Sequence, residues 1–87
     1  MNRKITVKTQ QGNICYCILD DEQSVEAQLA QVLGYTDGHG ITTRMTATQI
    51  QLVDYYLNDV IGAHDILSIE DTAETVSLQW NAIAEIK

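Results

Sequence analysis

Met45-Thr46-Ala47-Thr48-Gln49-Ile50-Gln51-Leu52-Val53-Asp54-Tyr55-Tyr56-Leu57-Asn58-Asp59-Val60-Ile61-Gly62 is the segment on which the architecture hinges. Thr46 and Gln49 form a Thr-x-x-Gln capping box, and Met45 and Ile50 bracket it at the positions of a hydrophobic staple. From Ile50 onward, Val53, Leu57, Val60 and Ile61 fall into one stripe at helical spacing. The spacing predicts a helix from Thr46 that stops at Gly62. Leu52 and Tyr56 widen its apolar arc, so the helix should be buried on more than one side.

Upstream, Tyr35 to Thr43 has two glycines flanking His39 and no period, and reads as a polar, mobile loop. Before it, Val25, Leu29, Val32 and Leu33 fall at i, i+4, i+7 and i+8, which predicts another helix. Asp20 and Asp21 are its expected N-cap, Glu22 lies in its first turn, and Gly34 is its left-handed stop. Nearer the N-terminus, Arg3 to Thr9 alternates Ile5 and Val7 with Lys4, Thr6 and Lys8, the period of a half-buried strand with a basic wet face. A turn at Gln10-Gln11-Gly12-Asn13 leads into Ile14 to Leu19, apolar on both faces and therefore a more interior strand.

Downstream of Gly62 the period returns to two. Asp65 to Glu70 and Thr75 to Trp80 read as strands joined by a turn at Asp71 to Glu74, with Val76, Leu78 and Trp80 on one face. A bend or turn at Asn81-Ala82 leaves Ile83 to Ile86 as an optional short strand. The expected order is β-β-α-α-β-β: an α+β, two-layer fold with an antiparallel sheet of four or five strands and two helices on one face.

The chain has 87 residues, 45% of them apolar, and no proline. That length suits one domain spanning residues 1 to 87. No apolar run approaches the roughly 20 residues that a spanning helix needs, and no signal peptide opens the chain. Together with Cys15 and Cys17, one residue apart and expected to remain reduced thiols, this suggests a cytoplasmic protein.

Twelve acidic against five basic residues give a formal net charge of −7. Arg3, Lys4, Lys8 and Lys87 sit at the two ends, so residues 9 to 86 hold all twelve acids against Arg44 alone, a balance of −11. Such a surface repels a polyphosphate, so direct nucleic-acid binding is not expected.

Candidate chemistry is sparse. Cys15, Cys17, His39 and His64 are the soft metal ligands, but a Cys-x-Cys on a strand holds two sulfurs poorly for one ion, and packed thiols with surface imidazoles are the simpler reading. A cysteine hydrolase built from the same residues has no accompanying signature. Gly38-His39-Gly40 lacks the Lys-Ser or Lys-Thr of a phosphate loop, and Asp37-Gly38 lacks the later glutamate of a calcium loop. No catalytic, cofactor or metal residue is expected, and neither is an enzyme.

What remains is charge. Asp54, Asp59, Asp65, Glu70, Asp71 and Glu74 have no positive residue between them, and Tyr35 and Tyr55 could serve as aromatic anchors beside them. Such acids commonly do no more than solvate a surface. If they act together, the expectation is a non-enzymatic protein-binding module that occupies a basic, nucleic-acid-binding surface of a larger protein. Small phage-encoded inhibitors of host defence nucleases work in that way, an analogy of type with no matching motif in this chain. The alternative is a structural subunit that self-associates through an edge strand or a tyrosine-rich helix face, as a homodimer for instance.

Overall fold

The computed structural model describes residues 1–35 and 40–83. Strands β1 (Asn2–Lys8) and β2 (Ile14–Leu19) form the expected hairpin. Ile5 stands opposite Cys17 and Val7 opposite Cys15, so the alternation places all four on one buried face. Gly12, at φ +90°, closes the loop in the left-handed conformation. Its N–H donates to the Thr9 carbonyl, and the Thr9 N–H in turn donates to the carbonyl of Asn13.

Helix α1 (Val25–Val32) lies where the stripe predicts, but its N-cap is Ser24, whose Oγ accepts the Ala27 N–H at 3.3 Å. Asp20, expected as a cap, instead accepts the Glu22 N–H at Oδ1 and turns the chain before the helix begins. The stop at Gly34 is as expected. Gly34 has φ +80°, its N–H donates to the Gln31 carbonyl, and the Tyr35 N–H donates to that of Ala30, the two bonds of a Schellman motif.

The second helix is not formed. Ile41–Met45 is β3, Gln49–Asp54 is β4, and the rest of the segment enters β5 (Asp59–Thr72). The hydrogen bond implied by the capping box is nonetheless present. The Gln49 N–H donates to Thr46 Oγ1 at 3.1 Å, within a turn that the Thr46 N–H closes on the Gln49 carbonyl at 2.8 Å. A Thr hydroxyl that satisfies the N–H three residues on begins a turn or a helix equally well. The following residues choose the strand. Ile50 and Leu52 share a buried face at period two, and Thr42, Thr43, Ile50, Val53, Val60 and Ile61 are β-branched, which restricts them in a helix and suits a pleated sheet. Gly62, read as a helix stop, lies within β5 opposite Leu52. Of the expected loop at 35 to 43, Ile41 to Thr43 belong to β3, and Thr36 to His39 fall outside the described residues.

The sheet is antiparallel, in the order β3-β4-β5-β1-β2-β6, with β6 spanning Ser77–Ala82. Six strands and one short helix replace the expected four or five strands and two helices. The 14-residue β5 is long enough to pair with two different strands. Its first half pairs with β4 and its second half with β1, changing partner at Asp65, and the register shifts at Leu52/Val53 and Thr6/Val7. Such irregularities bend a strand and increase its twist. The sheet curls into a half-barrel, and α1 packs against both edge strands, β3 and β6, as well as β2. Leu29, fully buried, meets Ile5, Val7, Cys17, Leu19 and Ile50 in the core.

Two polar links hold the helix in place. Buried Thr43 donates from Oγ1 to the Glu26 carbonyl at 2.6 Å, tying β3 to α1. Buried Gln28 pairs with the backbone of Asp20 as a strand would, its Oε1 accepting from Asp20 N and its Nε2 donating to Asp20 O, both at 2.8 Å. At the C-terminal side, the Ile83 N–H donates to the Ile14 carbonyl, so the chain continues along β2 past Asn81-Ala82 without turning back. The optional strand from Ile83 to Ile86 otherwise lies outside the described residues. None of the described helices is long and apolar enough to cross a membrane.

Candidate interaction surface

The β4–β5 hairpin carries an exposed apolar cluster. Asp54 accepts the backbone N–H groups of Tyr56 and Leu57 at Oδ1, both at 2.9 Å, and its carbonyl accepts the Asn58 N–H at 2.7 Å. Asn58 adopts φ +54°, a conformation that asparagine tolerates better than most residues. This tight loop leaves Tyr55, Tyr56 and Leu57 in solvent, 66%, 76% and 69% exposed. The two tyrosine rings pack edge to face with centroids 5.3 Å apart. Behind them Val60 and Ile61 are also exposed, Ile61 being the extra residue where the register shifts between Gly62 and Val60. Gly40 supports the tip from the side. Its carbonyl accepts the Tyr55 N–H at 2.7 Å, and a side chain there would press on the Tyr56 ring at 3.3 Å.

The acids divide into groups. Asp54 and Asp59 face each other across the hairpin at its tip, beside Tyr55. Asp65 lies midway along β5, accepts from Gln49 Nε2 at 3.2 Å and stands opposite Lys8. Glu70 and Asp71 lie toward the other end, opposite Lys4 and Arg3. Glu74, just beyond β5, pairs with Lys4 Nζ at 3.6 Å. The basic wet face of β1 thus runs alongside the second half of β5, with opposite charges directly across the ladder. From Asp59 to Asp71 is up to about 40 Å of extended chain, so the tip acids and the β1-paired acids are separate features. Tyr35, just past α1, belongs to neither group and instead lines a cleft near Trp80. The sequence stripe grouped Leu57, Val60 and Ile61 with the core, and the structure exposes all three. Their place beside a Tyr-Tyr pair and an Asn-Asp turn was the available signal.

The thiols point to no surface chemistry. Cys15 and Cys17 are free and buried on the core side of β2. Burial pushes the Cys17 thiol up to about 12, which keeps it protonated and unreactive. His39 lies outside the described residues, and His64, expected at the surface, is 6% exposed. Among the described residues, the group of possible metal ligands that converges within 4.8 Å is Asp20, Asp21 and Glu22, in the turn before α1. Asp21 there lies 3.9 Å from the N-terminal ammonium.

Comparison with family models, with curated proteins and with solved structures finds no match to this chain.

Proposed function

We propose that this chain is a non-enzymatic protein-binding module whose docking element is the β4–β5 hairpin. The observation that carries the reading is the exposure of Tyr55, Tyr56, Leu57, Val60 and Ile61 at one hairpin tip, where the charged residues between Asp54 and Ile61 are Asp54 and Asp59. Contiguous exposed apolar side chains are costly in water and mark contact surfaces, and tyrosines at the centre of a contact contribute a large share of its energy. The partner that fits is a protein with an apolar pocket rimmed by basic groups, because a lysine or arginine beside the tip would relieve the repulsion between the two aspartates. A nucleic-acid-binding surface on a larger protein has this character, and occupying it would inhibit that protein.

The test compares capture from cell extract by the wild type and by a Tyr55→Ser/Tyr56→Ser/Leu57→Ser variant, followed by affinity measurements on the captured protein. The reading expects a basic protein that the triple variant loses, that nucleic acid displaces, and whose affinity falls as salt rises. Equal capture by the triple variant would reject the hairpin as the docking element.

Self-association is the second reading, and it rests on a different observation. Leu67 and Ile69 are exposed on the half of β5 that extends beyond its pairing with β4. Sedimentation separates the two: a dimer insensitive to both salt and the triple substitution favours this reading, and a monomer favours the first.

A further inference from the structure

His64 is a buried polar group that the interaction surface does not use. It sits in the first half of β5, opposite Ile50, and is 6% exposed. The Gln10 backbone N–H donates to its Nδ1 at 3.1 Å, so the neutral ring carries its proton on Nε2. Burial lowers its pKa, an effect partly offset by Asp65 next to it, and so favours that neutral form. Trp80 holds the ring edge to face, with centroids 6.2 Å apart. Among the described residues, no hydrogen-bond acceptor meets Nε2. No fully buried side-chain nitrogen or oxygen among the described residues lacks a partner, which places Nε2 at accessible space.

His64 lines a cleft of about 250 Å³ where the end of α1 meets the β1–β2 loop. Its walls include Val32, Leu33, Tyr35, Leu52 and Trp80, and Thr9, Gln10 and Gln11 form its polar side. Ligand sites combine apolar and aromatic walls with placed polar groups, and this small cleft has both, its lining divided about evenly between polar and apolar surface. Its volume is below that of a drug-sized site and suits a ligand of about one ring. Among the described residues, no lysine, arginine, aspartate or glutamate lines it, so neither an anion nor a cation would find a counter-charge there.

We propose that this cleft binds a small neutral aromatic molecule bearing a carbonyl acceptor, with the ring between Trp80 and Tyr35 and the carbonyl on the Nε2–H of His64. The donor is preorganised, since the Gln10 amide fixes the tautomer and Trp80 fixes the ring plane. Binding therefore requires little ordering of the protein. The site is separate from the hairpin tip and does not depend on the protein-binding reading.

Trp80 is the only tryptophan and provides the readout. Benzamide, benzoate and toluene are the probes, titrated into the wild type, into His64→Phe, and into Gln11→Phe at an exposed position on the rim. The expected result is a saturable change in Trp80 emission with benzamide at a dissociation constant of order a millimolar. Benzoate should bind about tenfold more weakly, Gln11→Phe should block binding, and His64→Phe should lose benzamide selectively over toluene. Should His64→Phe fail to fold, ring-nitrogen NMR of the wild type replaces it, and benzamide should shift the protonated Nε2 resonance of His64. The proposal is overturned if benzamide in the tens of millimolar leaves Trp80 emission unsaturated and the Gln10, Leu33 and Tyr35 amide resonances unmoved. It is equally overturned if Gln11→Phe binds as the wild type does, or if toluene and benzamide respond alike with the Nε2 resonance unchanged.

Discussion

Asp54 and Asp59 stand directly across from one another in the β4–β5 ladder, yet only Asp54 is used by the fold. Its Oδ1 accepts two backbone N–H groups of the turn. Removing either charge relieves the same repulsion, but removing Asp54 also strips the turn of its acceptor. Asp59→Asn should stabilise the domain by about 0.5 kcal/mol, and Asp54→Ala should destabilise it by about 1 kcal/mol. Urea unfolding midpoints measure both. Equal effects would mean that the turn does not depend on the Asp54 carboxylate. If the tip is the docking element, the stabilised Asp59→Asn variant should also bind its partner more weakly.

Gln28 acts as a side-chain strand partner for Asp20 at the entry to α1. Gln28→Leu leaves the Asp20 N–H without a protein partner and its C=O with only the longer bond from the Gln23 N–H, and should cost about 1 to 3 kcal/mol. Gln28→Glu keeps an acceptor for the N–H but sets a carboxylate against the Asp20 carbonyl, and should cost at least as much. Thr43→Val, nearly isosteric, isolates the β3-to-helix bond and should cost about 1 kcal/mol. Denaturant unfolding decides, and a Gln28→Leu variant as stable as the wild type would remove the anchoring role.

Acid should act on His64 before it acts on the carboxylates. The folded-state pKa of His64 is lowered, so the unfolded chain binds its proton first as pH falls. Stability is therefore constant above the ordinary histidine value of about 6.5, declines as pH falls below it, and levels off once the folded-state value is passed. Protonating Nδ1 would also break the bond from the Gln10 amide. Unfolding measured between about pH 7.5 and 5.5 should show this decline in the wild type and not in His64→Gln. A decline of equal size in both would assign it to other groups.

Cys17 should be inert in the native state. With its thiol pushed up to about 12 and no exposed surface, iodoacetamide at pH 8 should modify it only as fast as the domain opens. Mass spectrometry after native and urea-denatured alkylation checks this. Rapid native labelling of Cys17 would contradict its burial.

Much of the local structure is legible in single residues. Alternation around Ile5 and Val7 specifies β1, Gly12 specifies the first loop, and the Leu29 stripe with Gly34 specifies the helix and its end. Met45 to Gly62 misleads because its start signal is a bond between Thr46 and the N–H three residues on, and hairpin turns use the same bond. The apolar residues that follow satisfy both periods over a few positions. Their β-branching was the feature that favoured the strand. The candidate surface was legible only in part. Asp54, Asp59 and Tyr55 do meet at the hairpin tip, but Glu70 and Asp71 could not be separated from them until β1 was seen to lie beside β5.

The sequence by itself determined the short-range features: which segments alternate, where the glycines turn the chain, how the one helix ends, and the sign of the net charge. These depend on hydrogen bonds and steric limits among residues a few positions apart. Only the tertiary structure decided that Lys4 would face Glu70, that His64 would be buried beside Trp80, and that Leu57 and Ile61 would remain in solvent. Each of those outcomes depends on β5 changing partners at Asp65 and on the sheet curling around α1, which are contacts between residues far apart in the chain. A strand's own sequence fixes its period, but its neighbours fix which of its faces is dry.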